Sequence, residues 1–181
     1  EGQIVMAGRI AKWYKRTHLL VDAGISLLKR FPEKDWRVLI VGDPDRGEEA
    51  YYQELQRRVQ EAGLAKRIQF LPGVGYADVL ALYAESDVVI NTTQSGSFDK
   101  ALLEAMAYGC IPVTSNAAFE GVFPPEWLIP EEDSAALDRA LERLLLASPD
   151  EREGWRNQAR EYIEQEQSLL ALTERIHNLL V

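Results

Sequence analysis

Short apolar runs closed by glycine or polar turns alternate along this chain with stretches whose apolar residues recur every three or four positions. The runs Gln3–Ala7, Arg37–Val41, Arg67–Leu71, Asp87–Asn91 and Ile111–Ser115 read as strands buried on both faces. Glu126–Ile129, set between prolines, reads as a sixth. Helical spacing covers about 16–31, Glu48–Ala62, Tyr76–Glu85, about 99–108, Ser134–Leu146, Pro149 to about Glu166, and Ser168–Leu180. Gly63 and Gly109 suit helix ends, and Ser134 suits a helix N-cap. Strands alternating with helices predict an α/β domain with a mostly parallel sheet covered on both faces. No repeat, linker or low-complexity tract divides residues 1–181, so one domain is expected.

In such a sheet, ligands bind where loops leave the carboxyl ends of the strands. The stretch Asn91–Thr114 has that form: strand end, polar loop, short helix, glycine stop, next strand. Backbone N–H groups at the helix start favour an anion. Small residues in Ser95-Gly-Ser-Phe-Asp99 let backbone approach a ligand closely, although an ordinary capped loop has the same composition. Glu104 follows on the helix, suited either to a ribose diol or to an ion pair with Lys100 four residues earlier. Gly8-Arg9 leaves the first strand, and Lys15 opens the first helix. Two cations beside a helix start suit a pyrophosphate; a solvated basic turn reads the same way. The Pro72-Gly-Val-Gly75 loop lies on the same edge, as a further contact or a plain turn.

Composition narrows the ligand. The net charge of −9 argues against nucleic acid, yet residues 1–40 carry eight Lys/Arg against four acids. A cationic cluster at Arg9–Arg16 in an acidic chain points to a small anionic ligand. The single Cys110 reads as a core residue and fits a reducing, cytoplasmic compartment. No apolar run approaches the roughly 20 residues needed to span a bilayer. Beginning at Glu1 and entering a strand almost at once, the chain reads as a piece of a longer protein. Metal-ligand clusters, a Gly-x-Ser-x-Gly elbow, a Walker lysine motif and a Gly-x-Gly-x-x-Gly fingerprint are all missing from the sequence. His18 and His177 stand alone on helical stretches.

Taken in order, several blocks resemble the nucleotide-sugar-binding, C-terminal domain of GT-B glycosyltransferases of the group 1 (GT4) type. They are Gly8-Arg9, Lys15, Leu-Ile-Val-Gly (39–42), Ile-Gln-Phe-Leu-Pro-Gly-Val (68–74), Leu-Tyr-Ala-Glu-Ser-Asp-Val-Val-Ile (82–90) and Leu-Glu-Ala-Met-Ala-Tyr-Gly-Cys-Ile-Pro-Val (103–113). The resemblance implies a Rossmann-like three-layer α/β/α domain with a six-stranded sheet, one half of a GT-B fold. It implies retaining transfer of a hexose from a UDP-, GDP- or ADP-sugar to an acceptor such as a glycan or lipid, without a metal or other cofactor. It implies that Arg9 and Lys15 act on the donor diphosphate and that Gly8, Gly73, Val74, Ser97, Phe98, Asp99, Lys100 and Glu104 bind the donor. Glu104 matches the ribose-binding Glu, and Gly73-Val74 the loop against the base. The implied partners are the donor and an N-terminal domain of the same protein. The C-terminal helices, about 150–181, would pack on this domain, reach toward the missing one, or form a dimer. The full-length enzyme is expected in the cytoplasm or at the inner face of a membrane. This chain alone is expected to lack turnover.

Three departures stand out. Gly96 falls where the family's first Glu of Glu-x7-Glu stands, and Asp99 replaces a glycine beside the phosphate site. Asp99 reads either as a group turned to donor-sugar hydroxyls, with Lys100 facing phosphate, or as the helix N-cap. The turn from Arg9 to Lys15 is one residue longer, and Arg16 replaces the Gly after the Lys, which predicts a reshaped phosphate loop. Rival readings are a non-catalytic glycosyltransferase-like binding module and a GT-B nucleotide-sugar epimerase domain.

Overall fold

A computed structural model describes residues 2–93 and 99–168, with Thr173 and His177. Its elements are β1 (Gly2–Ala7), α1 (Thr17–Arg30), β2 (Trp36–Val41), α2 (Glu49–Glu61), β3 (Ile68–Leu71), α3 (Tyr76–Ala84), β4 (Val88–Asn91), α4 (Lys100–Ala107), β5 (Ile111–Thr114), α5 (Ser134–Leu146) and α6 (Pro149–Tyr162). The sheet is wholly parallel, in the order β3-β2-β1-β4-β5. This is a Rossmann-like α/β arrangement. Helix α1 packs on α2 and α5, while α4 packs on α3 and α6.

The strands are apolar almost throughout because both faces are covered. Ile4, Val5, Val38, Ile40, Val88, Ile111 and Val113 are all buried. Strand order reverses at β1, whose neighbours are β2 and β4. The loops after β1 and β4 therefore diverge to opposite faces and open a crevice at the carboxyl edge.

The sheet has five strands among the described residues, not six. Pro125–Trp127 forms a 3-10 turn, and only Leu128 bridges β5, at Thr114. The Ile129 amide donates to the Thr114 carbonyl at 2.9 Å. Pro124, Pro125 and Pro130 lack amide hydrogens, so too little of this segment can extend a ladder. Its apolarity serves packing instead: Trp127 is buried edge-on against Phe123, which stacks on Phe119. The N-cap of α5 is Asp133 rather than Ser134; its carboxylate accepts from the Ala136 amide at 2.8 Å. Most of Ser168–Leu180 lies outside the described residues.

Gly109 closes α4 at φ 88°, and Cys110 follows it into the core. Burial pushes the Cys110 thiol up to about 12, and its Sγ lies 3.2 Å from the Tyr83 carbonyl oxygen. A thiolate is the reacting species, so a thiol reagent at pH 8 should label native protein at least about a hundredfold more slowly than protein in urea. Comparable rates in the two states would show this packing to be wrong.

Candidate functional site

The loop between β1 and α1 is tied to three different elements by three consecutive residues. The Tyr14 hydroxyl donates to Asp45 Oδ2 at 2.6 Å. Lys15 Nζ donates to Asp99 Oδ2 at 2.9 Å and to Thr93 Oγ1 at 3.2 Å. Arg16 Nη2 lies 3.2 Å from Glu131 Oε2 and 3.3 Å from Glu132 Oε1. Lys15 precedes α1 by two residues rather than opening it, so its ammonium crosses the crevice to the β4 side. Arg16 takes φ 48°, a left-handed conformation that suits a glycine. Its side chain turns into the acids before α5. The backbone is held by Thr92, whose hydroxyl donates to the Lys15 carbonyl at 2.5 Å.

Gly8 and Gly42 bring the first two strand ends together. The Gly8 amide donates to the Val41 carbonyl at 2.9 Å, and a Cβ on Gly42 would collide with the Gly8 carbonyl oxygen. A Cβ on Gly8 would lie 3.8 Å from Lys15 Nζ, so the lysine covers this turn. Beside it opens a recess of about 470 Å³ lined by Gly8, Arg9, Gly42, Asp43, Gly73 and Val74 among others. The Gly73 amide donates to Asp43 Oδ1 at 3.0 Å, fixing the loop after β3 at its wall. Arg9 is exposed at the recess.

The β4 end is polar and buried. Asn91 is 6% exposed, and its Nδ2 donates to Asp99 Oδ2 at 2.6 Å. Asn91 Oδ1 in turn accepts from the Thr93 amide and the Thr114 hydroxyl, both at 3.2 Å. Asp99 is the N-cap of α4: its Oδ1 accepts from the Ala101 amide at 3.0 Å. Its other oxygen accepts from Lys15, Asn91 and Thr93. Burial raises the Asp99 carboxyl, but the Lys15 charge and these hydrogen bonds outweigh it and hold the group below its ordinary value. Of the two readings of Asp99, the helix cap is the one realised. Gly96, Ser97 and Phe98 lie outside the described residues.

Glu104 faces α3 from one turn into α4. Tyr76, the first residue of α3, donates its hydroxyl to Glu104 Oε1 at 2.8 Å. Lys100 Nζ lies 3.3 Å from the same oxygen and 5.7 Å from the Tyr76 ring centroid. The Lys100 ammonium therefore meets Glu104. The expected groups from β1, β3 and β4 share one sheet edge, with Lys15 joining the first of these to the last. Sequence reasoning gave no role to Tyr76, Asn91, Thr93 or Tyr14. Tyr76 carried a usable signal: an aromatic opening a helix after a Pro-Gly loop on the ligand-binding edge.

Chemically, the crevice offers a lysine over a glycine turn, an arginine at its rim, a helix start and a carboxylate one turn on. That set can hold a diphosphate and a diol. The family model for glycosyl transferases group 1 matches residues 1–147. A D-inositol 3-phosphate glycosyltransferase of Corynebacterium urealyticum is 28% identical over 191 residues, which is 94% of this chain and 44% of that protein. That of Rhodococcus jostii is 32% identical over 122 residues, 67% of this chain and 27% of that protein. The chain thus spans less than half the length of these curated relatives. Among solved structures, the C-terminal domain of the group 1 glycosyl transferase LpcC from Francisella tularensis gives a TM-score of 0.84 at 23% identity, covering 93% of this chain and 87% of that one. Anabaena Alr3699/HepE, solved with UDP and glucose, gives 0.80 at 23% identity, covering 98% and 47%. These two likenesses bear on the fold; the family model, spanning residues 1–147 of 181, shows that the chain belongs to the glycosyl transferases group 1 family.

Proposed function

We propose that this chain is the donor-binding domain of a retaining, metal-independent glycosyltransferase that moves a hexose from a nucleoside diphosphate to an acceptor such as a glycan or lipid. The observation that carries this reading is Lys15 Nζ, set beside Gly8 at the β1/β4 switch point and facing the start of α4. Lys15 and Arg9 would stabilise the leaving diphosphate, an electrostatic role that gains most in a water-poor cleft. Glu104, already accepting from one hydroxyl, would exchange Tyr76 for the ribose diol. The recess walled by Gly73 and Val74 would take the base. Acceptor binding, and closure over the donor, would fall to an N-terminal domain of the same protein.

Calorimetry with UDP, GDP and ADP, then with their hexose conjugates, tests this. One base should be preferred, with a Kd of about 0.01–1 mM, reflecting a site with one wall missing. No binding by any of the six would overturn the reading. Sugar transfer by this chain alone would overturn the assignment of acceptor chemistry to another domain. One observation favours the non-catalytic rival: Lys15 is already engaged by Asp99. In that case the nucleotide would bind but its sugar conjugate would gain no discrimination between hexoses.

A further inference from the structure

We infer that Asp99 makes the site discriminate by ligand charge, favouring a sugar-linked nucleoside diphosphate over the free nucleoside diphosphate. The inference rests on the donor-site reading above and names a specificity role for a residue whose charge is out of place in a phosphate site.

The geometry fixes the charge where it matters. Asp99 Oδ1 caps α4 through the Ala101 amide, so the carboxylate leaves only by uncapping the helix. Oδ2 stands 2.9 Å from Lys15 Nζ and is also held by Asn91 and Thr93. The Asp99 side chain is 12% exposed and that of Lys15 21%, so water screens the pair poorly. A phosphate that recruits Lys15 must share it with a fixed negative neighbour.

That neighbour acts unequally on two ligands. In a sugar-linked diphosphate each phosphate carries one charge. Once the sugar has left, the terminal phosphate takes a second charge, with a pKa near 6. Repulsion scales with ligand charge, and the added charge sits on the phosphate that faced the sugar. Asp99 therefore weakens the released nucleoside diphosphate more than the intact donor. Neither Lys100, paired with Glu104, nor the buried Asn91 cancels this charge. The carboxylate would be a device against product retention, at some cost in absolute affinity.

The test compares the chain with its Asp99→Asn and Asp99→Ser variants, both of which keep a capping oxygen without the charge. Affinities for UDP and UDP-glucose, GDP and GDP-mannose, and ADP and ADP-glucose are measured at pH 8. For the preferred base, removing the charge should tighten the free diphosphate by about tenfold and the sugar conjugate by about threefold or less. The ratio between the two thus shifts at least about threefold. Equal tightening of both ligands, or weakening of both, would overturn the role of Asp99 while leaving the donor site intact. If neither the original chain nor the variants bind any of the six, the donor-site reading itself fails.

Discussion

Lys15→Ala is expected to lower the affinity for the preferred nucleoside diphosphate by about a hundredfold, and to destabilise the fold as well. The binding loss follows from removing a poorly hydrated cation from the proposed phosphate position; truncating such a partner costs about 2–5 kcal/mol. The stability loss has a separate origin. Asp99 keeps its hydrogen bonds from Asn91, Thr93 and Ala101 but loses the Lys15 charge. A buried carboxylate left without its cation costs about 1–3 kcal/mol.

The pH dependence fixes the sign. In the native chain the Asp99 carboxyl lies below its ordinary value of 3.8, so its stabilising contribution is present above that value and is lost as pH falls through the depressed one. In the variant, burial dominates and the carboxyl rises, so the penalty is felt at neutral pH and is relieved in acid. The stability gap between the two proteins should therefore be widest near pH 7 and close toward pH 3, as measured by urea unfolding. A gap independent of pH would show that Lys15 contributes by packing alone. Adding Asp99→Asn to Lys15→Ala should recover most of the stability and, by removing the repulsion on the phosphate, about tenfold of the lost affinity.

Among the described glycines, Gly42→Ala should be the most damaging added methyl group. Gly42 has φ 146°, where an L side chain is strained, and its Cβ would meet the Gly8 carbonyl oxygen. Backbone cannot rotate away as a side-chain tip can. The Gly42 amide donates to the Leu71 carbonyl at 3.0 Å, and the Gly8 amide to Val41 at 2.9 Å. Relief of the clash thus requires the ends of β1, β2 and β3 to part. The expected cost is about 3 kcal/mol or more, a fall in Tm of about 6–12 °C for a chain of this size. The same movement opens the recess beside Gly8 and Gly73, so nucleotide binding should be lost at temperatures where the protein is still folded. Gly47→Ala is the control: φ is 84°, but nothing lies within 4 Å of the added Cβ. That change should cost only about 1 kcal/mol. Equal losses at the two positions would mean that strain, not collision, governs Gly42.

The sheet was legible because its strands are buried on both faces and so read as unbroken apolar runs. The sixth run misled for the same reason. Apolarity at Trp127–Ile129 reports burial, and burial is equally served by a 3-10 turn that inserts an indole. Glu104 and Lys15 could be singled out from their neighbours in sequence. The contact between Lys15 and Asp99 could not: the two are 84 residues apart, and only the β1/β4 switch point brings them together. Tyr76 and Glu104, 28 residues apart, meet by the same kind of long-range closure. At Arg16 the sequence departed from a glycine, yet the backbone kept a glycine-like turn. Sequence records the side chain, while the φ angle is set by the tethers on either side.

Those tethers have a thermodynamic consequence. Tyr14, Lys15 and Arg16 are pinned in succession to Asp45, to Asp99 and to the Glu131–Glu132 pair. Free loops lose on the order of 1–2 kcal/mol of backbone entropy per residue when a ligand orders them. Here that loss is incurred during folding, before any ligand arrives. Nucleotide association at this loop should accordingly be preorganised, with its heat coming from ion pairs exchanged rather than from a segment being frozen.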